Sequence, residues 1–348
     1  MEITGTVQRQ AWADGALPPV EQIRPGLWSI PVPIPINPLR YVTVYALRLP
    51  DDGVALVDAG WDTPEAWQGL VEGLAAAGYQ VEDVRAVLVT HIHPDHYGLA
   101  GRVRERSGAW IALHAEDARL LRERYREVDD LRDHVYEQLL RAGAPGDEAQ
   151  TLAASAMGVR PFVAPTEPDV LLADGEPVPI PGWRLTAVWT PGHSPGHLCF
   201  YDSDQQVLLS GDHVLPRISP NITVHAQQRP NPLSDFLDGL RKVRVLDVDE
   251  VLPAHEYRFR GLATRVDHLI EHHGERLDEL ADLVTRHPGL PAWDLAQRLT
   301  WSRPWEEIQG HVRRIALGET LAHLVMLQAR GRIAEDGDEP ARWYPSAR

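Results

Sequence analysis

The stretch VLVTHIHPDHYGLAG, which runs from Val87 to Gly101, contains three histidines and an aspartate within six positions. They are His91, His93, Asp95 and His96, and they follow an apolar run typical of a β-strand. Residues two apart on a regular strand share a face, so His91 and His93 can bind one ion together. If the chain then turns into a helix, Asp95 and His96 move towards a second ion nearby. The stretch therefore predicts a metal site rather than a solvated polar loop.

Four more candidate ligands follow apolar, strand-like segments elsewhere in the chain. Asp58 ends GVALVD, His193 follows WRLTAVWTPG, Asp212 ends QVLLSGD and His255 ends VDEVLPAH. Ligand sites in α/β proteins favour the ends of strands, so a ligand-type residue at five strand ends is not expected by chance. Turn formation beside glycine or proline is the alternative interpretation of Asp58, Asp212 and His193.

The elements that must position these residues alternate between strands and helices. Apolar strands separated by turns begin near Gly26, and helical segments precede VRAVLVT and WIALH. This alternation predicts an α/β fold built in layers. Residues 115–168 are predicted as a helical insertion, and His272 and His273, on a polar helix, are predicted to be solvent-exposed.

Composition limits the classes of function. The chain has 348 residues, 43% of them hydrophobic, and a formal net charge of −16. It can bury a full core, and neither nucleic acid nor a membrane is expected as a partner. It shows no signal-peptide pattern and no apolar run of about 20 residues. Cys199 is the only cysteine, which excludes an intramolecular disulfide. We expect a cytoplasmic protein.

The candidate ligands, in their order and strand-end context, resemble the five motifs of the metallo-β-lactamase fold hydrolases, a family that includes glyoxalase II. The resemblance covers about residues 18–270 and implies an αββα sandwich with the site along one edge of its two sheets. It implies a first metal held by His91, His93 and His193, a second held by Asp95, His96 and His255, and a bridging Asp212. Asp58 would orient ligands, and Asp58 and Asp95 are the predicted catalytic residues.

The chemistry follows from this ligand set. Imidazoles and carboxylates without a thiolate suit zinc, so we expect two Zn²⁺ ions, although iron or manganese could be accommodated. Two adjacent cations lower the pKa of a shared water from 15.7 towards about 7, which supplies a bridging hydroxide as nucleophile. The expected function is hydrolysis of a small-molecule ester, thioester or lactone. The β-lactamases of this fold lack the bridging aspartate, so Asp212 argues against that activity.

The resemblance leaves two alternative functions open. Residues 275–348 resemble the winged-helix tail of a branch that includes endoribonucleases, which favours an endoribonuclease or phosphodiesterase. This segment carries ten arginines against twelve acidic residues, whereas a domain that binds nucleic acid needs a basic face. The preferred role is therefore packing, dimerisation or forming a wall of the active site. A persulfide dioxygenase with one iron is the second alternative, and the full ligand set disfavours it.

The predicted organisation has three parts: an N-terminal arm over 1–17, a hydrolase domain over 18–274, and a small winged-helix-like domain over 275–348. The insertion at 115–168 could cover the site as a lid or brace the sheet. Ser194, Tyr97 and His197 are predicted to support the ligands or to contact substrate. The substrate, the native metal and the oligomeric state, including a homo-oligomer, are left open.

Overall fold

The computed structural model describes residues 1–35, 37–125, 128–225, 227–337 and 339–346. The helices in these residues are α1 (Thr6–Asp14), α2 (Pro64–Ala76), α3 (Pro94–Tyr97), α4 (Ala100–Ser107), α5 (Ala115–Tyr125), α6 (Val128–Arg141), α7 (Gly146–Ala156), α8 (Pro232–Arg244), α9 (Leu262–Arg286), α10 (Ala292–Ala296) and α11 (Gly310–Ala329). The strands are β1 (Glu2–Ile3), β2 (Glu21–Arg24), β3 (Leu27–Pro33), β4 (Tyr41–Arg48), β5 (Val54–Val57), β6 (Val84–Leu88), β7 (Trp110–His114), β8 (Val170–Leu172), β9 (Leu185–Trp189), β10 (Leu198–Asp202), β11 (Val207–Gly211), β12 (Glu250–Pro253), β13 (Phe259–Arg260), β14 (Leu290–Pro291), β15 (Ile333–Glu335) and β16 (Arg342–Pro345).

Within the described ranges, the strands form three sheets. One has the order β2-β3-β4-β5-β6-β7-β8, the second β1-β13-β12-β11-β10-β9, and the third β14-β16-β15. The first is antiparallel from β2 to β5 and parallel from β5 to β8. In the second, β11 and β12 are parallel. The α/β fold with two principal sheets is confirmed.

The parallel pairs determine where the predicted ligands lie. Parallel strands end at the same edge of a sheet, so the residues after β5 and β6 are neighbours, as are those after β11 and β12. Asp58 directly follows β5 and Asp212 directly follows β11. Most of the candidate ligands therefore lie on two pairs of neighbouring segments: those that follow β5 and β6 in one sheet, and those that follow β11 and β12 in the other.

The core lies between the two principal sheets. Strand β4, with the sequence YVTVYALR, is rich in β-branched and aromatic residues and is buried along all but its last position. Leu47 and Leu88 from one sheet join Phe200 and Leu209 from the other in a single cluster, each at most 1% exposed. Hydrogen bonds also connect the sheets: the Thr43 amide donates to the Ala254 carbonyl at 2.7 Å.

The described chain divides into two compact units, each made of several segments. The first holds both principal sheets and comprises residues 1–121, 159–220 and 239–266. The second comprises residues 122–158, 221–238 and 267–348, so most of the inserted helices belong with the C-terminal segment. Inside it, the side chain of Gln138 on α6 donates to the Val224 carbonyl at 3.0 Å. The domain boundaries at 17 and 274, the lid and the winged helix stay predictions.

The expected exposure of His273 is wrong. Its side chain is fully buried in the second unit, where its ring lies 5.5 Å from that of Phe236 and its Nδ1 lies 3.2 Å from Nε2 of His323. Packing partners distant in sequence decided this, and a polar helix pattern does not reveal them. No helix in the described residues is both long enough and apolar enough to cross a membrane.

Candidate metal centre

The histidine-rich stretch lies in a loop and a short helix. Strand β6 ends at Leu88, so the strand alternation used to place His91 and His93 together does not apply. A loop carries both residues, and α3 then begins at Pro94. The predicted turn into a helix after His93 is present.

The first donor set consists of three imidazoles around one point. Nδ1 of His93 lies 2.9 Å from Nε2 of His91 and 2.9 Å from Nε2 of His193. Ligand atoms of all three residues lie within 4.8 Å of one another. Convergence of neutral ring nitrogens is the arrangement that a transition metal requires. These three residues could therefore hold one ion.

The second donor set lies beside the first and shares a carboxylate with it. Nε2 of His255 is 3.4 Å from Oδ2 of Asp95 and 3.3 Å from Oδ1 of Asp212. Nε2 of His96 is 3.6 Å from the same two oxygens. The other oxygen of Asp212, Oδ2, lies 3.3 Å from Nε2 of His193 in the first set. The structure therefore brings all seven predicted ligands together, with Asp212 facing both sets.

Buried polar atoms at this site fit a metal. Nε2 of His96, Nε2 of His255 and Oδ1 of Asp212 are buried, and none has a hydrogen-bond partner among the described residues. Buried polar atoms are rarely left unsatisfied in native proteins. A cation would satisfy all three, so the residues present fit the metal that the ligand pattern implies.

Asp58 and the backbone orient two of the imidazoles. Asp58 accepts hydrogen bonds from the Thr90 amide at 2.8 Å and the Thr90 hydroxyl at 3.0 Å, and its Oδ2 lies 2.7 Å from Nδ1 of His96. On the other side, Nδ1 of His255 lies 3.0 Å from the Tyr41 carbonyl. Both contacts turn the Nε2 atoms towards the site, as supporting residues of metal ligands generally do.

The electrostatics divide the histidines into two groups. Burial lowers the pKa of His91 well below its usual value, which favours the neutral form that binds metals. For His255, burial acts in the same direction, but Asp212 and Asp95 outweigh it and raise the pKa to about 10. Carboxylates raise the pKa of His96 in the same way. A cation would displace these protons, because metal ligands bind in their deprotonated form.

The three predicted supporting residues have different surroundings. Nε2 of His197 accepts the backbone N–H of Asp212 at 3.1 Å, so His197 supports the shared carboxylate. Ser194 donates to Asp117 at 2.8 Å. Tyr97 is fully buried and its hydroxyl bonds to the backbone of Thr166, so this hydroxyl braces the chain. The substrate contact suggested for Tyr97 stays a prediction.

Asp117 is a supporting residue that the sequence reasoning missed. Its buried carboxylate accepts the Ile92 amide at 3.0 Å, the Ser194 hydroxyl at 2.8 Å and the Gly196 amide at 2.6 Å. It therefore connects the loop of His91 with the loop of His193. The signal was available, because Asp117 lies just after β7 and strand ends had identified the other residues.

Comparisons with known proteins identify the family of this chain. The family model described as the metallo-beta-lactamase superfamily matches residues 37–255. The probable metallo-hydrolase YqjP of Bacillus subtilis (strain 168) is 25% identical over 312 residues, which cover 88% of this chain and 93% of that protein. An acyl-coenzyme A thioesterase of Gallus gallus is 32% identical over 178 residues, covering 48% of this chain and 55% of that protein.

A solved structure agrees over almost the whole chain. The crystal structure of a metallo-beta-lactamase family protein from Thermus thermophilus superposes with a TM-score of 0.80 at 34% identity, covering 93% of this chain and all of that one. The chain therefore belongs to the metallo-beta-lactamase superfamily.

Proposed function

We propose that the protein is a dinuclear metal-dependent hydrolase of small-molecule esters, thioesters or lactones, with acyl thioesters as the favoured substrates. One observation carries the dinuclear part: the two oxygens of Asp212 face two adjacent donor sets, at 3.3 Å from His193 and 3.3 Å from His255. A single-metal site would leave Asp95 and His255, or His91 and His93, without a ligand role.

Each donor set has a defined task in this proposal. His91, His93 and His193 would hold one ion, Asp95, His96 and His255 the other, and Asp212 would contact both. When bound, such ions polarise a carbonyl oxygen and make hydroxide available near neutral pH. The carbonyl carbon gains an oxygen from water, the carbon–sulfur bond of a thioester breaks, and an acid and a thiol leave.

Asp95 is the residue proposed to move the proton. Of the two carboxylates facing His255, Asp95 is the more exposed, with 13% of its side chain accessible against 9% for Asp212. It can therefore take the proton released by the attacking water and deliver it to the departing thiolate. Asp58 and His197 would keep His96 and Asp212 in place while this happens.

The thioester preference rests on the relatives. The Gallus gallus relative is named for acyl-coenzyme A hydrolysis and is 32% identical over 178 residues.

Zinc is the proposed metal because nitrogen and carboxylate donors without thiolate suit it. Iron or manganese is the alternative that metal analysis would reveal.

Metal analysis and a substrate screen test the proposal together. Purified protein should bind close to two metal ions per chain, and a ratio that stays near one under metal excess would contradict the dinuclear site. Zinc-, manganese- and iron-loaded protein should then be screened with thioesters, lactones, phosphodiesters and RNA. Turnover of thioesters or lactones is expected, and turnover of RNA alone would favour the nuclease instead.

The variant Asp212→Ala tests the shared carboxylate. Activity should fall below about a tenth of wild type and the metal ratio should drop, because both donor sets lose a ligand. Circular dichroism should show that the fold persists. Activity above that level would mean that Asp212 does not bridge the ions.

A further inference from the structure

Two arginines lie over one tryptophan ring in the first compact unit. Cζ of Arg40 is 5.1 Å from the ring centroid of Trp12, and Cζ of Arg217 is 5.9 Å from it. Both arginines are exposed, and 59% of the Arg217 side chain is accessible. We call these three residues the arginine–tryptophan patch. A concentration of positive charge is unexpected on a chain whose net charge is −16.

The patch connects to the metal centre through His255. Nδ1 of His255 lies 3.0 Å from the carbonyl of Tyr41, the residue that follows Arg40, and the Tyr41 ring contacts Trp12 edge-on at 5.7 Å. Glu256 follows His255 directly, so their Cα atoms are about 3.8 Å apart, and Glu256 pairs with Arg217. The patch therefore lies one layer of residues away from a predicted metal ligand.

The patch is held in a fixed arrangement. Buried Glu256 accepts Nε of Arg217 at 3.0 Å and Nη2 at 2.9 Å, which leaves the outer part of the guanidinium exposed. Arg40 donates to the Trp12 carbonyl at 2.5 Å. A guanidinium group placed over an indole within about 6 Å gains cation–π attraction. The two cations are thus pre-organised, which lowers the entropic cost of binding an anion.

The positive charge extends beyond the patch itself. Arg9 is also exposed and lies on α1 with Trp12. Buried Glu256 is paired with Arg217 alone among these arginines. Arg9, Arg40 and Arg217 outnumber the two nearby acidic residues, which are Glu256 and Asp14 at the end of α1. The neighbourhood therefore retains net positive charge.

We propose that the arginine–tryptophan patch binds the phosphate groups of the thiol carrier in an acyl thioester substrate. This inference rests on the proposed thioester hydrolysis and names the part of the substrate that lies outside the reacting bond. Guanidinium groups match phosphate oxygens with two parallel hydrogen bonds. A phosphorylated carrier would be repelled by the acidic remainder of the surface, so a local cationic site is what would let it approach.

Substrates that share one acyl group but differ in carrier test this inference. Acetyl-coenzyme A, S-acetyl phosphopantetheine and uncharged S-acetyl-N-acetylcysteamine should be compared for wild type, Arg40→Gln, Arg217→Gln and the double variant. Arg184→Gln is the matched control, because Arg184 is exposed and pairs with Asp204 at 3.3 Å away from the patch. Each patch variant should raise KM for acetyl-coenzyme A about tenfold and leave turnover of the uncharged thioester unchanged. The Arg184→Gln variant should match wild type on all three substrates.

The pattern across substrates identifies the phosphate that is bound. Losses with both phosphorylated carriers indicate the phosphate that they share, whereas a loss with acetyl-coenzyme A alone indicates the nucleotide phosphates. High salt should raise the wild-type KM for acetyl-coenzyme A and affect the double variant less. Equal losses on the uncharged thioester would overturn the inference, because the arginines would then act on the metal centre or the fold.

Binding of free coenzyme A separates this inference from the proposed function. Calorimetric titration of the metal-loaded wild type and the double variant needs no turnover. If no thioester is hydrolysed but the double variant still loses coenzyme A affinity, the proposed function fails and the patch stands. If thioesters are hydrolysed but affinity and KM do not change in the variants, the patch assignment fails. Arg40→Gln keeps the test valid should loss of Arg217 leave Glu256 unpaired and destabilise the fold.

Discussion

Asp117 holds two loops of the metal centre together through one buried carboxylate. Three donors converge on it, from Ile92, Ser194 and Gly196, at 2.6 to 3.0 Å. Ile92 lies between His91 and His93, and Ser194 follows His193. The spacing of the three imidazoles in the first donor set therefore depends on Asp117, although these hydrogen bonds go to neighbouring residues and not to the imidazoles themselves.

We predict that Asp117→Ala weakens metal binding about 10- to 100-fold, the usual effect of removing a residue that supports ligands. The free energy of unfolding should also fall, by about 1–3 kcal/mol, because buried donors lose their acceptor. Chelator competition and urea unfolding measure the two effects.

Asp202→Ala is the matched control for Asp117→Ala. Asp202 is also buried and accepts three amides, those of Arg184, Asp204 and Gln205, but at a turn that contains no predicted metal ligand. The Asp202→Ala variant should lower the free energy of unfolding and leave metal affinity unchanged. Equal metal affinity in both variants would show that Asp117 serves only the fold.

Gly211, the last residue of β11, sets the direction of the chain just before Asp212, whose carboxylate faces both donor sets. Gly211 has a φ of +50°, and a Cβ placed there would approach Nε2 of His197 to 2.7 Å and Cβ of Thr90 to 3.0 Å. Nε2 of His197 accepts the amide of Asp212. Glycine is therefore required at this position both by the backbone conformation and by the lack of space.

Gly211→Ala should displace His197 and reduce activity, with a stability cost beyond the roughly 1–2 kcal/mol of the left-handed conformation alone. Gly108→Ala is the comparison, because Gly108 has a φ of +75° with no atom within 4 Å of the added Cβ. It should lower stability by about that conformational term and leave turnover unchanged. Similar activity in the two variants would contradict the role given to His197.

Helix α11 carries a carboxyl group in an unfavourable environment. Burial raises the pKa of Glu319 to about 7, with Arg276 opposing the shift. An acid whose pKa is higher in the folded state favours folding below its unfolded pKa, which is 4.5 for Glu319, and this contribution is lost as the pH rises to about 7.

Glu319→Gln should therefore stabilise the protein at neutral and alkaline pH, and the gain should disappear as the pH falls towards 4.5. Urea unfolding of wild type and variant across this range measures the difference, and subtraction removes the titration of all other groups. Glu275→Gln, which removes the same charge at an exposed position of α9, is the matched control. A gain for Glu319→Gln that is the same at every pH would contradict the prediction.

At the scale of the whole molecule, the net charge indicates which class of partner the protein binds. The chain carries a net charge of −16, and residues 275–348 hold more acidic than basic residues. We propose a small-molecule substrate and no nucleic-acid partner. Titration of labelled single-stranded RNA at two salt concentrations should give dissociation constants above about 100 µM at physiological salt. Tight binding that weakens steeply with salt would favour the endoribonuclease alternative.

The sequence by itself indicated the ligand types and the layered α/β fold. Strand-end positions of Asp58, Asp212 and His255 and the spacing of the histidine-rich loop are local patterns, readable because strands and turns depend on residues near in sequence. These patterns gave eight candidates, and the resemblance to the metallo-β-lactamase fold hydrolases selected from them the seven ligands that the structure brings together.

Only the tertiary structure decided which residues support that site and what surrounds each one. Asp117 meets Gly196 across 79 positions, and His255 meets the Tyr41 carbonyl across 214. Contacts between residues distant in sequence also bury His273 and group most of the inserted helices with the C-terminal segment. Such contacts depend on how sheets and helices pack, and packing brings together residues whose separation along the chain carries no periodic signal.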